Sequence, residues 1–112
     1  MEKAKKFNYA IKYTSEYHPE WVRRDKRMKK AGVDLRKMAR YDDETKTAVR
    51  KWGSVHKDIR KIDNKGVAIG ISEHDVVIAL IKNNTILAIK DKAFIGVMKD
   101  LFLAKWKVAE KV

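Results

Sequence analysis

The sequence predicts a single α/β domain, in which a β-α-β-α-β unit is followed by two hairpins and a long C-terminal helix to give a mixed sheet flanked by helices. Three features indicate this fold. Apolar and polar residues alternate early in the chain, strand-like and helix-like segments then follow each other, and a run of β-branched segments leads into an amphipathic helix. The 112 residues correspond to one domain, and a hydrophobic content of 45% with one proline indicates a folded chain. We therefore expect residues 1–112 to share one core.

Residues 7–13 predict the first strand, because aromatic and aliphatic side chains alternate with polar or small ones. A helix is expected over residues 19–31, with a proline in its first turn, Ser15 or His18 as its N-cap and Gly32 as the left-handed residue at its end. Few of its positions are apolar, so we expect the helix to lie on the surface. These positions are Trp21, Val22, Met28 and Ala31.

Residues 33–39 predict a second strand, residues 44–52 a second helix and residues 58–62 a third strand. Asp42 or Asp43 is the expected cap of this helix. Strands that alternate with helices of this length imply right-handed crossovers. We therefore expect the first three strands to be largely parallel.

The second half contains three apolar, β-branched segments at residues 67–71, 76–81 and 85–89, which predict consecutive hairpins. Asn83-Asn84 separates the last two segments, and asparagine tolerates the positive φ angles of a tight turn. Asp91 can cap a final helix. The positions of this helix that recur at helical spacing, and are expected to face the core, are Phe94, Val97, Met98, Leu101, Phe102, Lys105 and Val108.

Composition and motifs exclude several functional classes. The chain has no cysteine, which rules out disulfides and thiolate metal sites and favours a cytoplasmic protein. No apolar run is long enough to cross a bilayer, so no membrane partner is expected. His18, His56 and His74 lack the spacing of a helical zinc site, and the common nucleotide-binding and serine-hydrolase motifs are missing. We expect no metal, no cofactor and no complete catalytic site.

The net charge of +12 is concentrated in the first part of the chain. Residues 1–66 hold 20 Lys and Arg against 10 Asp and Glu, whereas residues 67–112 hold 7 against 5. Such a field attracts an anionic partner such as DNA, while a well-solvated, lysine-rich surface is the alternative interpretation. If this part of the chain binds nucleic acid, the residues expected to contact phosphates are Arg23, Arg24, Arg27, Lys30, Arg40 and Arg50.

The segment HKDIRKIDNKGVAIGIS, which begins at His56, resembles the motif of phospholipase D-like enzymes. These enzymes carry a histidine nucleophile, a lysine two residues later and an aspartate seven residues after the histidine, followed by glycine and serine. His56, Asp63 and Gly70 match this spacing. Asp58, however, occupies the lysine position and Ile71 the serine position. Because a carboxylate repels phosphate, this resemblance implies a motif that does not hydrolyse a phosphodiester.

A second alignment resembles the C-terminal half of the degenerate phospholipase D-like effector domains of archaeal TrmB-type regulators and some sensor histidine kinases. The matching pieces, in chain order, are GVDLRKM, DDETKTAVRKW, DIRKIDN, VAIGISEHDVVIAL and LFLAKW. Gly66 takes the histidine position in this alignment, so the catalytic set is again incomplete. The resemblance implies an archaeal phospholipase D-like half that regulates transcription by sensing a small ligand or by dimerising.

Arg36 and Arg60 belong to neighbouring predicted strands and are expected on one face of the sheet. They either bind a small anion beyond the strand ends or pair with Asp34, Asp58 or Asp63, and ion pairs are the favoured interpretation. If the vestigial site holds a ligand, the residues expected to bind it are Arg36, His56, Arg60 and Asp63.

Three functions follow, in order of preference: a non-catalytic, ligand-sensing regulatory domain, a nucleic-acid-binding protein that uses residues 1–66, and a dimeric phosphodiesterase in which His56 of two copies meets. The expected partners are a small anionic ligand, DNA bound directly or through a partner regulator, and a second copy of the chain. Trp21, Trp52 and Trp106 are expected to pack in or beside the core.

Overall fold

The computed structural model describes residues 4–112 and shows a six-stranded sheet with helices on both faces. Residues 1–3, which the predicted domain and its basic first part include, lie outside the described residues. The strands are β1 (Phe7–Lys12), β2 (Asp34–Ala39), β3 (Arg60–Lys61), β4 (Val67–Ser72), β5 (Val76–Leu80) and β6 (Thr85–Ile89). The helices are α1 (Pro19–Lys30), α2 (Lys46–Trp52) and α3 (Lys92–Val108). The predicted α/β fold class and order of elements are confirmed.

The strands lie side by side in the order β3-β2-β1-β4-β5-β6. The first three run parallel, as their helical crossovers require, whereas β4 is antiparallel to β1 and continues into the hairpins of β5 and β6. We call the face covered by α3 the α3 side, and the face against which α1 and α2 pack the cleft side. The α3 side carries Tyr9, Arg36 and Ile71, and the cleft side carries Ala10, Lys37 and Gly70.

The α3 side holds the main hydrophobic core. Tyr9 stacks on Phe102 with ring centroids 4.9 Å apart, and Phe102 stacks on Trp106 at 5.9 Å. Burial of such large rings contributes strongly to the hydrophobic stabilisation of a core. The buried members of this core are Phe7, Tyr9, Met38, Ile71, Val76, Ile95, Phe102 and Trp106. Aromatic packing therefore fixes α3 to the sheet.

The cleft side is covered less completely by the described helices. Around β2, a second group of apolar residues is buried, and it includes Ala39, Val49 and Trp52. The packing roles predicted for Trp52 and Trp106 are confirmed, while Trp21 is half-buried. The residues that β4, β5 and β6 turn to this side are half-buried or exposed, and they include Ala68, Gly70, Val77, Ala79, Ile86 and Ala88. This part of the sheet is accessible.

Several predicted boundaries are wrong by a few residues. α2 begins two residues later than predicted, because Asp42 Oδ1 accepts hydrogen bonds from the N–H groups of Glu44 and Thr45 and stabilises a turn there. β3 covers only two residues, Arg60 and Lys61, which pair with Met38 and Ala39 of β2. The last hairpin is not a two-residue turn. A 3₁₀ turn at Ile81–Asn83 precedes Asn84, whose φ of 51° has the expected sign.

The start of α3 is as predicted. Asp91 Oδ2 accepts a hydrogen bond of 2.8 Å from the N–H of Phe94, which caps the helix. Across residues 4–112, none of the helices combines the length and the apolar character needed to cross a membrane.

The predicted core face of α3 is wrong in part. Four of its positions are exposed instead of buried, namely Val97 (55%), Leu101 (59%), Val108 (78%) and Lys105. The buried positions are Ile95, Phe102 and Trp106. Because α3 has apolar residues on two faces, its hydrophobic pattern alone does not select one. The aromatic stack on Tyr9 selects the face that meets the sheet.

Candidate functional site

Three titratable side chains meet beneath α1 on the cleft side. They are Asp25 of α1, Lys37 of β2 and His56 of the loop after α2, which we call the charged cluster. Asp25 Oδ2 lies 2.8 Å from His56 Nε2 and 3.6 Å from Lys37 Nζ. Their side chains are only 9%, 6% and 7% exposed for Asp25, Lys37 and His56. Because Arg24 Nη2 also lies 3.3 Å from Asp25 Oδ1, a buried carboxylate is surrounded by three nitrogen-bearing groups.

The spacing of the sequence turns two of these charged residues inward. Asp25 follows Trp21 by four residues and precedes Met28 by three, so it lies on the apolar stripe of α1. Lys37 lies two residues before Ala39, on the same face of β2. The sequence-based search for site residues misses both of them. A charged residue at an apolar position of a helix or strand is the signal that could have identified them.

At neutral pH the charged cluster holds one carboxylate and one ammonium group. Burial alone would raise the pKa of Asp25, but the hydrogen bond from His56 and the charges of Lys37 and Arg24 outweigh it and lower this pKa to about 2. Burial lowers the pKa of Lys37 to about 8, against the opposing effect of Asp25. Burial also lowers the pKa of His56, so its neutral ring donates the Nε2–H to Asp25.

A cleft of about 300 Å³ opens beside the charged cluster. Trp21 and Arg24 of α1 line one wall, and Lys12 at the end of β1 lines the base of that wall. The floor consists mainly of small residues from three strands, namely Ala10, Ala68, Gly70 and Ala79, with Asn8 and Val77 beside them. An apolar surface with a few converging polar groups is typical of small-molecule sites.

The structure brings two of the predicted ligand residues together. Arg36 and Arg60 both lie on the α3 side, as expected, with their Cζ atoms 5.6 and 4.3 Å from the centroid of the Trp106 ring. Each arginine also has an acidic neighbour. Arg36 Nε lies 3.3 Å from Asp34 Oδ1, and Arg60 Nη2 lies 3.0 Å from Asp58 Oδ2. These contacts are the favoured ion pairs.

The other two predicted ligand residues lie in different surroundings. His56 belongs to the charged cluster on the cleft side. Asp63 lies in the turn between β3 and β4, where its side chain is 80% exposed and its Oδ2 lies 3.4 Å from Lys65 Nζ. A ligand site formed by all four residues stays a prediction, and the cleft is a second candidate.

α1 presents four basic residues on its outward face, at spacings of three, one and three positions. They are Arg23, Lys26, Arg27 and Lys30, all of them exposed. We call these four residues the α1 stripe. Because residues at positions i, i+3, i+4 and i+7 project from one face of a helix, their charges face the same volume of solvent. Three of them were among the residues predicted to contact phosphates, and Lys26 was not.

The remaining predicted phosphate contacts differ from the α1 stripe. Arg50 is exposed on α2. Arg24 is turned towards Asp25. Arg40 is 22% exposed, pairs with Glu44 at 2.9 Å and stacks on the ring of Tyr13 at 4.3 Å. The charges of Arg24 and Arg40 are thus partly satisfied within the chain.

No family model and no curated protein sequence matches the chain. Among solved structures, Nuc, a phospholipase D family member from Salmonella typhimurium, is similar with a TM-score of 0.73 at 12% identity, and the match covers 99% of this chain and 84% of Nuc. The chain has a phospholipase D-like fold. TrmBL2, an archaeal chromatin protein with a novel mode of DNA binding, is similar with a TM-score of 0.67 at 18% identity, over 99% of this chain and 46% of TrmBL2. The resemblance seen in the sequence is confirmed at the level of the fold.

The phospholipase D-like fold allows the two alignments of the enzyme motif to be compared with the secondary structure. In the enzymes the motif occupies a strand and a turn. The alignment that begins at Gly66 follows β4 and ends in the turn at Glu73, whereas the alignment that begins at His56 contains only the short β3. The Gly66 alignment therefore fits the strands better. In it, Gly66 has a φ of 86° and Ala68 occupies the lysine position.

Glu73, at the aspartate position of this alignment, has a structural role. Its Oε2 accepts hydrogen bonds from the backbone N–H groups of Lys5 at 2.7 Å and Lys6 at 2.9 Å. Burial would raise the pKa of Glu73, but these backbone hydrogen bonds lower it. The carboxylate thus fixes the chain where it enters β1 of the phospholipase D-like sheet.

Proposed function

We propose that this chain is a non-catalytic regulatory domain that contacts DNA phosphates through the α1 stripe. The α1 stripe is the observation that carries the proposal. It extends over roughly 10 Å, because an α-helix rises about 1.5 Å per residue. Duplex DNA carries about one negative charge per 1.7 Å of its axis, so four cations over this length can meet several phosphates.

The distribution of charge over the helices also favours the side of the molecule that carries α1 and α2 as the surface that contacts DNA. Together α1 and α2 contain nine Lys and Arg and two acidic residues, whereas α3 contains four Lys and one Asp. The field is therefore strongest on the side where the α1 stripe lies. The likeness to TrmBL2, described as a chromatin protein that binds DNA, supports DNA as the anionic partner.

The residues at the enzyme positions support the absence of catalysis. Ala68 offers no amine to stabilise phosphoryl charge. A Cβ at Gly66 would lie 3.0 Å from Lys82 Cε, and the φ of 86° is strained for any residue with a side chain. In the other alignment, Asp58 pairs with Arg60 and adds negative charge where phosphate would bind. A functional histidine–lysine pair would thus need changes of backbone as well as of side chains.

The DNA contact is tested by measuring the affinity for a labelled duplex by fluorescence anisotropy over a series of salt concentrations. The test variant replaces every residue of the α1 stripe by glutamine. The logarithm of the affinity falls as the logarithm of the salt concentration rises, and each phosphate contact contributes about 0.9 to the steepness of this fall. Loss of four contacts should therefore make the slope shallower by about 3 to 4. The variant also binds more weakly at every salt concentration.

A matched control removes the same number of charges from the opposite side of the molecule. It replaces the exposed lysines on and beside α3 by glutamine, namely Lys90, Lys92, Lys105 and Lys107. This control is expected to keep most of the salt slope. Equal losses in both variants would mean that only net charge matters, and a wild-type protein that binds no duplex at low salt would overturn the proposal.

The absence of catalysis is tested separately with bis(p-nitrophenyl) phosphate, a generic phosphodiester. The expected result is no turnover above buffer, for the wild type and for His56→Ala alike. Turnover that His56→Ala abolishes would support the dimeric phosphodiesterase instead. Ligand sensing, dimerisation, archaeal origin and a cytoplasmic location stay predictions, and analytical ultracentrifugation of the full chain tests dimerisation directly.

A further inference from the structure

The cleft contains a lysine whose charge has no acidic partner. Burial lowers the pKa of Lys12, and the nearby charge of Arg24 lowers it further. Lys12 Nζ lies 5.1 Å from the centroid of the Trp21 ring, and within the described part of the chain no carboxylate oxygen lies within 4 Å of it. Asp25 and Glu16 are the acids that favour its charged form, from beyond that distance. A partly desolvated cation is costly unless an anion accompanies it.

The surroundings of the cleft carry an excess of positive charge. Lys12, Arg24 and Lys37 are cationic and line the cleft together with the anionic Asp25 and the neutral His56. Three cations against one carboxylate leave two positive charges in excess. A phosphate monoester carries about −1.5 to −2 at pH 7, so it matches this excess in a single group.

The floor of the cleft has a different chemical character from this wall. Ala68 and Ala79 have small side chains and Gly70 has none, so the surface of β4 and β5 is low and apolar there, with Val77 opposite Gly70. The indole of Trp21 stands at the edge of this surface. A volume of about 300 Å³ is at the lower end for small-molecule sites. The shape suits a flat ring that lies on the floor with its anionic group beside Lys12.

We infer that this cleft binds a phosphate monoester carried on a flat ring, with Lys12, Arg24 and Lys37 around the phosphate and the alanine- and glycine-rich floor under the ring. The site lies on the inner side of α1, and the α1 stripe lies on the outer side. The inference goes beyond the proposed DNA contact and does not depend on it. Two sources share this chemistry, a free nucleotide and the phosphorylated 5′ end of a nucleic-acid strand.

Isothermal titration calorimetry with adenosine monophosphate, adenosine and inorganic phosphate tests both parts of the site. Adenosine monophosphate is expected to bind at least about tenfold more tightly than either fragment, because it alone combines a charge-assisted contact with ring burial. A 5′-phosphorylated and a 5′-hydroxyl oligonucleotide form the second arm. Tighter binding of the phosphorylated oligonucleotide than of both the nucleotide and the 5′-hydroxyl oligonucleotide identifies a strand end as the occupant.

Two variants connect the binding to the cleft. Lys12→Met keeps the length of the side chain but removes its charge, and it is expected to weaken the binding of adenosine monophosphate about tenfold. Ala79→Leu leaves every charge in place but fills the floor, and it is expected to weaken binding as well. Lys107→Met, on the exposed face of α3, is the matched control and should leave nucleotide binding unchanged.

The outcomes separate this inference from the proposed function. Loss of duplex binding in the α1 stripe variant, with nucleotide binding retained, supports two independent sites. If Lys12→Met does not fold, Ala79→Leu provides the test on its own. No heat with adenosine monophosphate, or equal affinity in the wild type, Lys12→Met and Ala79→Leu, would overturn the inference whatever the duplex experiment gives.

Discussion

The two sides of the sheet are built from the same strands but differ in the residues that they present. On the α3 side, large aromatic and aliphatic residues are sealed beneath a 17-residue helix. On the cleft side, a buried carboxylate, ammonium and imidazole meet next to an accessible, small-residue surface. Charges beneath a helix do not stabilise a fold as efficiently as apolar packing does. The α3 side therefore supplies most of the stability, and the cleft side is the side on which we propose binding.

β4 shows how one strand supplies both sides. Its sequence VAIGIS alternates a large residue with a small one, so Ile69 and Ile71 face α3 while Ala68 and Gly70 face the cleft. The large residues enter the core, and the small ones leave the cleft open. A shift of one residue in the pairing would exchange the two sides.

The largest expected effect concerns the aromatic core. Phe102→Ala should lower the free energy of unfolding by about 3 to 5 kcal/mol, because it removes a fully buried ring that stacks on Tyr9 and Trp106. Leu101→Ala, one position earlier but 59% exposed, should change it by about 0.5 kcal/mol or less. Urea denaturation measures both values. Similar losses for the two variants would contradict the assignment of the buried face of α3.

The second effect concerns the charged cluster. Asp25→Ala should lower the free energy of unfolding by about 3 kcal/mol at neutral pH, because it leaves Lys37 buried without a counter-charge. The double variant Asp25→Ala, Lys37→Met should recover most of this loss, since it also removes the orphaned charge. A double-mutant cycle from urea denaturation measures the coupling between the two residues. If the losses of the single variants Asp25→Ala and Lys37→Met simply add up to the loss of the double variant, the two residues are not coupled.

An effect of roughly 2 to 3 kcal/mol is expected from alkaline titration, because each unit of pKa shift corresponds to about 1.4 kcal/mol. The pKa of Lys37 is lowered from 10.5 to about 8 in the folded state, so between these values the unfolded chain binds more protons and stability rises with pH. Lys12 contributes with the same sign. Tyr9 on the α3 side has the opposite sign, because burial and its hydrogen bond to Asp34 raise its pKa from 10.0 to about 12. Stability should therefore fall again above about pH 10.

Thermal unfolding measured across pH 7 to 12 checks this profile. Lys37→Met is expected to flatten the rise above pH 8 and leave the fall above pH 10. Tyr9→Phe is the matched variant for the other side and should remove the fall but keep the rise. A wild-type profile that falls steadily from pH 7 would contradict the assignment of a depressed pKa to Lys37.

The sequence predicts the fold of this chain better than its site. Strand periodicity, helix caps and the order of elements depend on neighbouring residues, and these features were predicted correctly for β1, for the cap at Asp91 and for the parallel crossovers. The charged cluster depends on three elements that meet only in the folded chain. His56 was selected for its place in a motif, whereas the structure gives it a different partner, Asp25. The prediction of the buried face of α3 was wrong in part for a related reason. The helix has two apolar faces, and tertiary packing decides which of them meets the sheet.

The smallest expected effect comes from a half-exposed ion pair, Asp58 with Arg60, and is set against that of the buried pair, Asp25 with Lys37. Asp58 pairs with Arg60 on the α3 side, where their side chains are 40% and 22% exposed. Arg60 also stacks on Trp106 and donates a hydrogen bond to its backbone carbonyl, so it keeps other partners when the carboxylate is lost. Asp58→Asn should therefore lower the free energy of unfolding by about 1 kcal/mol or less, and by less still at high salt. Urea denaturation at two salt concentrations measures this, and a loss as large as that of Asp25→Ala would remove the distinction between the two sides.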